Sequence, residues 1–332
     1  MTDPQLRDAL AEETAEQEVP GLSRKRDLCR GLLLSGCGAY HVAHYTDGVL
    51  DFALDLLAHT SAPPAIDSAD PEQRRDLHRR AGARLAYRAT ELSRRVWELQ
   101  CGGLVRLAVQ TRADYVFCNT VVGGEHVVGF GALPSDPAGA VAEPGRASGL
   151  DQAAAQLATE LRQLVRLPSQ NPGGWSTAGE RSATAASGGD VAVHRRGAED
   201  VATPLVEALR PTGLHYLSLH RGEEQTVAVD ILHHPELEPF FNRGSTVADR
   251  RTRYERLAGD LGLLALQVSR DLRRAVPGDV ERLVLDLEIG AVFYYRLAPD
   301  SYLFGVALDQ DWVSQADQDM STLAGQFTVA AG

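Results

Sequence analysis

From Arg106 to Leu133 the chain reads RLAVQTRADYVFCNTVVGGEHVVGFGAL, and 176 positions on, from Arg282 to Asp309, it reads RLVLDLEIGAVFYYRLAPDSYLFGVALD. In both stretches an alternating strand meets a polar turn, a second strand, another turn and a third strand ending in small residues. That pattern predicts a three-stranded antiparallel meander. A meander that occurs twice restricts the chain to two copies of one architecture. It leaves activity open, because function resides in sites and not in the fold.

The repeat extends on both sides of the meander. Pro71 to Gln100 carries Leu77, Ala81, Leu85, Ala89, Leu92, Val96 and Leu99 at spacings of three and four, which predicts a long amphipathic helix; Asp249 to Val276 is its counterpart. Arg74, Arg75, Arg80, Ser93 and Arg94 recur as Arg250, Arg251, Arg256, Ser269 and Arg270, again 176 apart. Before each long helix lies a hairpin. In the first copy, strand Ala39 to Tyr45 and the segment VLDFALDLLAH flank Thr46-Asp47-Gly48, where Gly accepts positive φ and Asp bonds its own backbone. The leucines of VLDFALDLLAH suit helix or strand. The parallel segment QTVAVDILHH, with Val227, Val229 and Ile231, decides for strand.

A short helix from Ser23 to Leu34 precedes the first hairpin, and closing helices follow both meanders, through Leu150 to Leu164 and Trp312 to Phe327. The first 20 residues read as a tail or weak helix. Residues 168–200, rich in Gly, Ser, Ala and Pro, read as a flexible linker in which Trp175 is the one large aromatic that could dock on a domain. The expected organisation is therefore a tail over 1–20, a domain over 21–167, the linker over 168–200 and a second domain over 201–330. With 332 residues and 44% hydrophobic composition, two domains of ~150 residues are within reach.

Composition excludes several functions. A net charge of −12 argues against nucleic-acid binding, which needs clustered positive charge. Lys25 is the only lysine, so no phosphate-binding GxxxxGK[ST] loop exists. GFG at Gly129 to Gly131 and GCG at Gly36 to Gly38 lack the third glycine of a dinucleotide fingerprint. No GxSxG elbow and no HExxH helix occur, so no catalytic residue and no cofactor is assigned. His41 and His44 lie three apart on a strand and face opposite ways, which defeats chelation by the pair, and strand-end packing or solvation is the expectation for them. Asp309, Asp311, Asp317 and Asp319 lack the glycine and glutamate of a calcium loop and read as capping residues. No apolar run approaches the ~18 residues of a membrane span. The four cysteines form no CxxC pair and the N-terminus is acidic, so reduced thiols in a cytoplasmic protein are expected.

The order helix, hairpin, long helix, meander, helix in each half resembles the Roadblock/dynein light chain family. The resemblance is carried by YTDGVL at Tyr45 to Leu50, by Gly103 to Leu133 and by Glu281 to Leu308. It departs at a longer loop over 60–70 and at Arg221 to Gln225, where RGEEQ replaces the tight turn. The resemblance implies an α+β fold of two profilin-like domains, each a five-stranded antiparallel sheet with flanking helices. It also implies pairing through the long helices and the strands after them, here as an intramolecular pseudo-dimer. Leaving Leu104 to Thr111 and Arg282 to Glu288 unpaired would expose two sheet edges, and pairing them inside one chain removes both. A linker of some 30 residues spans about 30 Å, which permits this.

On the long helices Arg84, Arg88 and Arg95 of the first copy face Asp260, Leu264 and Asp271 at the corresponding positions of the second. We expect antiparallel packing with Arg84 near Asp271 and Arg95 near Asp260, favouring contact between unlike halves. Leu263 and Leu266 lie off the core stripe and are candidates for contact with a partner. Two functions follow as expectations. The first is a non-enzymatic scaffold or regulator acting on a protein partner, for which the resemblance suggests a Ras-like small GTPase. The second is a small-ligand sensor with Tyr115, Phe117 and Cys118 lining a cavity over the sheet.

Overall fold

A computed structural model describes residues 4–14, 21–59, 70–134, 147–175, 194–196, 199–222, 224–241 and 246–330. The first half contains α1 (Pro4–Asp8), β1 (Ala11–Thr14), α2 (Leu22–Leu34), β2 (Ala39–Thr46), β3 (Val49–Asp55), α3 (Pro71–Val96), β4 (Leu104–Gln110), β5 (Asp114–Val122), β6 (Glu125–Ala132) and α4 (Ser148–Leu164). The second contains β7 (His194–Arg196), α5 (Glu199–Ala208), β8 (Tyr216–Arg221), β9 (Glu224–Asp230), α6 (Val247–Leu272), β10 (Arg282–Leu287), β11 (Ala291–Ala298), β12 (Ser301–Ala307) and α7 (Val313–Ala330). The fold is α+β, built on one antiparallel sheet of 12 strands in the order β1-β3-β2-β6-β5-β4-β10-β11-β12-β8-β9-β7.

The sheet is larger than two five-stranded units. Ala11–Thr14, expected in a tail or weak helix, pairs with β3, and His194–Arg196, expected in the linker, pairs with β9. Both are short polar segments with no alternating apolar face, so pattern alone does not mark them; an open edge of backbone N–H and C=O groups recruits them. The linker reading fails at its other end too. Pro168 accepts a hydrogen bond from Arg162 through its carbonyl, Gly173 is buried, and α5 begins at Glu199. Residues 176–193 and 197–198 of that segment, and 60–69 of the long loop, lie outside the described residues.

Local chemistry explains the element ends. Asp47 (φ 50°) and Gly48 (φ 80°) take the paired left-handed conformation of a tight hairpin. The second hairpin turns just as tightly, with Gly222 at φ 60°, so RGEEQ mostly belongs to its strands. Asp70 caps α3 by accepting from the Glu72 amide, with Pro71 in the first turn, and Thr246 and Asp249 form a reciprocal capping box at α6.

Two of the recurring polar residues make the same bonds in both halves. Arg75 holds Asp55 at 2.6 Å and Arg251 holds Asp230 at 2.6 Å. Ser93 accepts from the Leu104 amide at 3.1 Å and Ser269 from the Val280 amide at 3.0 Å. Each long helix is thereby tied to the strand before it and the strand after it.

The two long helices lie on one face of the sheet and α4 and α7 on the other. On β5, Asn119 donates to the Ala154 carbonyl of α4, while neighbouring Thr120 faces His126, which reaches Thr90 of α3. On the second half Tyr295 donates to Asp317 of α7, and Tyr302 donates to the Ala258 carbonyl of α6.

Candidate interaction surface

The surface formed by α3 and α6 sits directly over the join between β4 and β10. The helices run antiparallel. Arg88 near the middle of α3 donates to Asp271 near the end of α6 at 2.9 Å and to Gln267 at 3.1 Å. Past the end of α3, Arg253 and Arg256 at the start of α6 reach Glu98, through its carbonyl at 2.6 Å and its carboxylate at 3.8 Å.

The ion pairs drawn from sequence do not form. Arg84 and Asp260 are exposed and make no ion pair among the described residues, and Arg95 turns back to Glu91 of its own helix at 3.0 Å. Arg88 takes Asp271 instead. A slip of one helical turn brings a half-buried arginine to the aspartate and leaves Arg84 in water, where a long side chain keeps its entropy and its hydration. Leu264 is buried in the core, whereas Leu263 and Leu266 are 59% and 55% exposed. Tyr87, which holds the position of Leu263 in the first copy, is 70% exposed.

Beneath this face the two halves differ. In the second, a cleft of about 530 Å³ opens between α6 and the sheet, walled by Leu263 and Leu266 and floored by Tyr294 and Tyr302. Asp260, Asp279 and Asp300 stand at its margin. Arg296, also in the lining, is tied to Asp279 at 2.7 Å. In the first half the corresponding positions are Thr90, Cys118 and His126, and His126 bridges Thr90 at 3.0 Å and Thr120 at 3.4 Å. Burial lowers the His126 pKa to about 4, so the bridge is made by a neutral ring.

The helices differ to match. Gly259 and Gly262 of α6 stand where α3 has Ala83 and Ala86. A glycine inside a helix costs roughly 1 kcal/mol relative to alanine. At Gly262 a Cβ would stand 3.0 Å from the Tyr302 ring, so this glycine lets the helix pass over the aromatic floor. At Gly259 a Cβ would meet nothing within 4 Å, because the space beside it is open.

Tyr115, Phe117 and Cys118 do not line a cavity. All three are fully buried, Tyr115 points toward α4, and burial pushes the Cys118 thiol far up. The cleft lies instead at the matching strand of the second copy. The signal was present in the helix glycines and in the replacement of Cys118 by Tyr294, but their meaning depends on what faces them across the helix–sheet gap.

A second feature escaped sequence reasoning. At the join, Arg106 is 1% exposed and its guanidinium holds Asp286 of the other half at 2.6 Å, together with Asp151 of α4. Asp151 also accepts from the Tyr115 hydroxyl and, at 3.3 Å, from the Trp175 indole N–H; the Gly173 amide donates to Asp286 at 2.8 Å. Trp175 therefore docks, closing a polar site that spans both copies. Burial opposes the charge on Arg106, but the two carboxylates outweigh it and raise its pKa. The matching Arg282 holds Asp317 of α7, which is thus an ion-pair partner and not a cap; Asp309 is the capping aspartate.

The histidines are likewise buried and not solvated. His41 packs against His78 and Phe130, while His44 is held between Asp51 at 2.7 Å and Glu125 at 2.9 Å, with Lys25 on the same Glu125 oxygen at 2.5 Å. Lys25 and Glu125 thereby brace α2 against the sheet. No group of three or more His, Cys, Asp or Glu side chains suited to a metal ion occurs among the described residues, and none of the described helices is long and apolar enough to cross a membrane.

Comparison with protein-family models, with curated proteins and with solved structures found no match.

Proposed function

We propose that this chain is a non-enzymatic scaffold or regulator that works through protein–protein contact on the α3/α6 face. In this reading its halves are Roadblock-like, profilin-like domains joined as an intramolecular pseudo-dimer. Three features support it: the strand order β3-β2-β6-β5-β4 recurs as β9-β8-β12-β11-β10, the copies join edge to edge, and the long helices pair over the join. The observation that carries the contact itself is the line of large apolar side chains left in water on the paired helices, Tyr87, Leu263 and Leu266. Such side chains on a rigid platform are typical anchors for a partner. By the family resemblance, a Ras-like small GTPase is the first partner class to test, and a cytoplasmic setting goes with it.

The experiment is affinity purification of the full chain beside a Tyr87→Ser/Leu263→Ser variant, both verified as folded by circular dichroism. Proteins captured by the parent chain and lost from the variant are the expected outcome. Equal capture by both, or capture of no protein by either, overturns the proposal. A second reading, a small-ligand sensor, draws on one observation, the cleft beneath α6.

A further inference from the structure

We infer that the cleft under α6 is a binding site for a small organic cation, an amine or guanidine carried on a flat apolar body. This does not rest on the partner reading above, because the ligand is a small molecule and the site lies between helix and sheet.

Three independent observations converge on it. The first is shape: about 530 Å³, between the leucines of α6 and the tyrosines of β11 and β12, falls in the range of pockets that hold metabolite-sized ligands. A flat apolar group enters between Leu263 and the rings of Tyr294 and Tyr302, which are themselves 5.0 Å apart. Tyr302 is fixed by its bond to the Ala258 carbonyl at 2.8 Å and by stacking on His220 at 4.9 Å, so the floor is preformed.

The second is an unused polar group. Tyr294, only 6% exposed, is part of the lining, and its hydroxyl makes no hydrogen bond to any of the described residues. It is therefore available to a polar group of a ligand, as donor or acceptor.

The third is charge. Of the three carboxylates at the margin, Asp279 is already neutralised by Arg296, whereas Asp260 and Asp300 have no ion pair among the described residues. An anionic ligand meets two uncompensated carboxylates and is repelled. A cation meets them beside the aromatic floor of Tyr294 and Tyr302, and both are favourable.

The comparison between copies adds a reason to read the cleft as a site. In the first copy Ala83, Ala86 and the His126–Thr90 bridge occupy the same place, so the architecture does not require an opening there. The second copy leaves it open beside Gly259, a glycine that weakens its own helix.

The test uses the full chain and three indoles of nearly equal size: tryptamine, a cation; tryptophol, its uncharged alcohol analogue; and indole-3-acetate, an anion. Binding is read by isothermal titration and by the shift in melting temperature. Tryptamine is expected to bind at least tenfold tighter than tryptophol, and indole-3-acetate weaker than either. Tyr294→Phe should weaken tryptamine severalfold. Gly259→Leu should abolish its binding while leaving the melting temperature of the free protein equal or higher, since it fills the cleft and favours the helix. Gly259→Ala, a milder change, should weaken binding in the same direction and covers the case in which leucine disturbs folding. The inference is overturned if tryptamine does not bind at millimolar concentration. It is overturned equally if tryptophol binds as tightly, or if both Gly259 variants bind tryptamine as the parent does.

Discussion

Ala108 on β4 lies directly opposite Val284 on β10, and these two residues occupy the same position in the two copies of the repeat. The join therefore turns about a local two-fold axis that passes between a residue and its own duplicate. On either side the register runs in related pairs, out to Arg106 facing Asp286 and Gln110 facing Arg282; beyond Asp286 the register shifts and Leu287 faces Leu104. Symmetry places each arginine beside a duplicate of the other's neighbour, and the copies have diverged so that one arginine meets a carboxylate and the other an amide. Arg282 finds its carboxylate in α7 instead.

If the join is an interface between halves, the covalent link between them is dispensable. Co-expressed as separate chains 1–185 and 186–332, the halves should co-purify through a tag on either one. Separate elution of the two on size exclusion would show that the ladder and the Arg106 site cannot hold without the link.

Arg106→Met leaves the carboxylates of Asp151 and Asp286 buried without their cation. It should lower stability by about 3–5 kcal/mol in urea unfolding. Arg282→Met should cost less, because Asp317 keeps 17% of its side chain in water and can hydrate. Equal losses would mean that burial does not decide the difference.

The Arg88–Asp271 bridge is partly exposed, at 19% and 21% of the side chains. A double-mutant cycle on the two alanine variants should report a coupling of about 0.5–1 kcal/mol. Arg84→Ala, with no ion pair to lose, should stay within about 0.5 kcal/mol of the parent. A larger coupling from Arg84 than from Arg88 would restore the register expected from sequence.

Stability should fall on acidification below neutral pH. Burial lowers His78, His126, His215 and His220 to about 4 from the usual 6.5. A base depressed in the folded state contributes stability that is complete above the unfolded value and is lost as pH falls from 6.5 toward 4. At His215 burial is joined by geometry: its Nδ1 accepts from the Leu308 amide at 2.9 Å, which a proton there would prevent. The unfolding free energy, followed from pH 7 to pH 4.5, should drop by several kcal/mol in total (about 1.4 kcal/mol for each unit a pKa moves), and a flat profile would refute the buried neutral rings.

Asp114 should act with the opposite sign. Burial raises its carboxyl to about 6, so the ionised form costs stability above that pH, and the cost vanishes as pH falls through 6 toward 3.8. Relative to the parent, Asp114→Asn should gain on the order of 2 kcal/mol more at pH 8 than at pH 5. A pH-independent difference would place the charge elsewhere.

Much of the architecture was legible because it is periodic. Alternation and helical spacing, each seen twice, marked the meanders and long helices, and the duplicated edge strands forced a join between β4 and β10. The edge strands β1 and β7 were not legible, since backbone hydrogen bonding to an open edge needs no side-chain signature. Nor was the Arg88–Asp271 register, because charges at helical spacing identify a face but not the turn at which two helices meet.

The sequence by itself determined the duplication, the order of the repeated elements and the absence of a phosphate-loop motif, since these depend on residue identity and spacing along the chain. Only the tertiary structure decided that Arg106 is locked by Asp151 and Asp286, that Trp175 closes over them, and that one copy fills the gap between helix and sheet while the other leaves it open. Those outcomes depend on which side chains meet across space, where a glycine in place of an alanine changes a volume that no local pattern encodes.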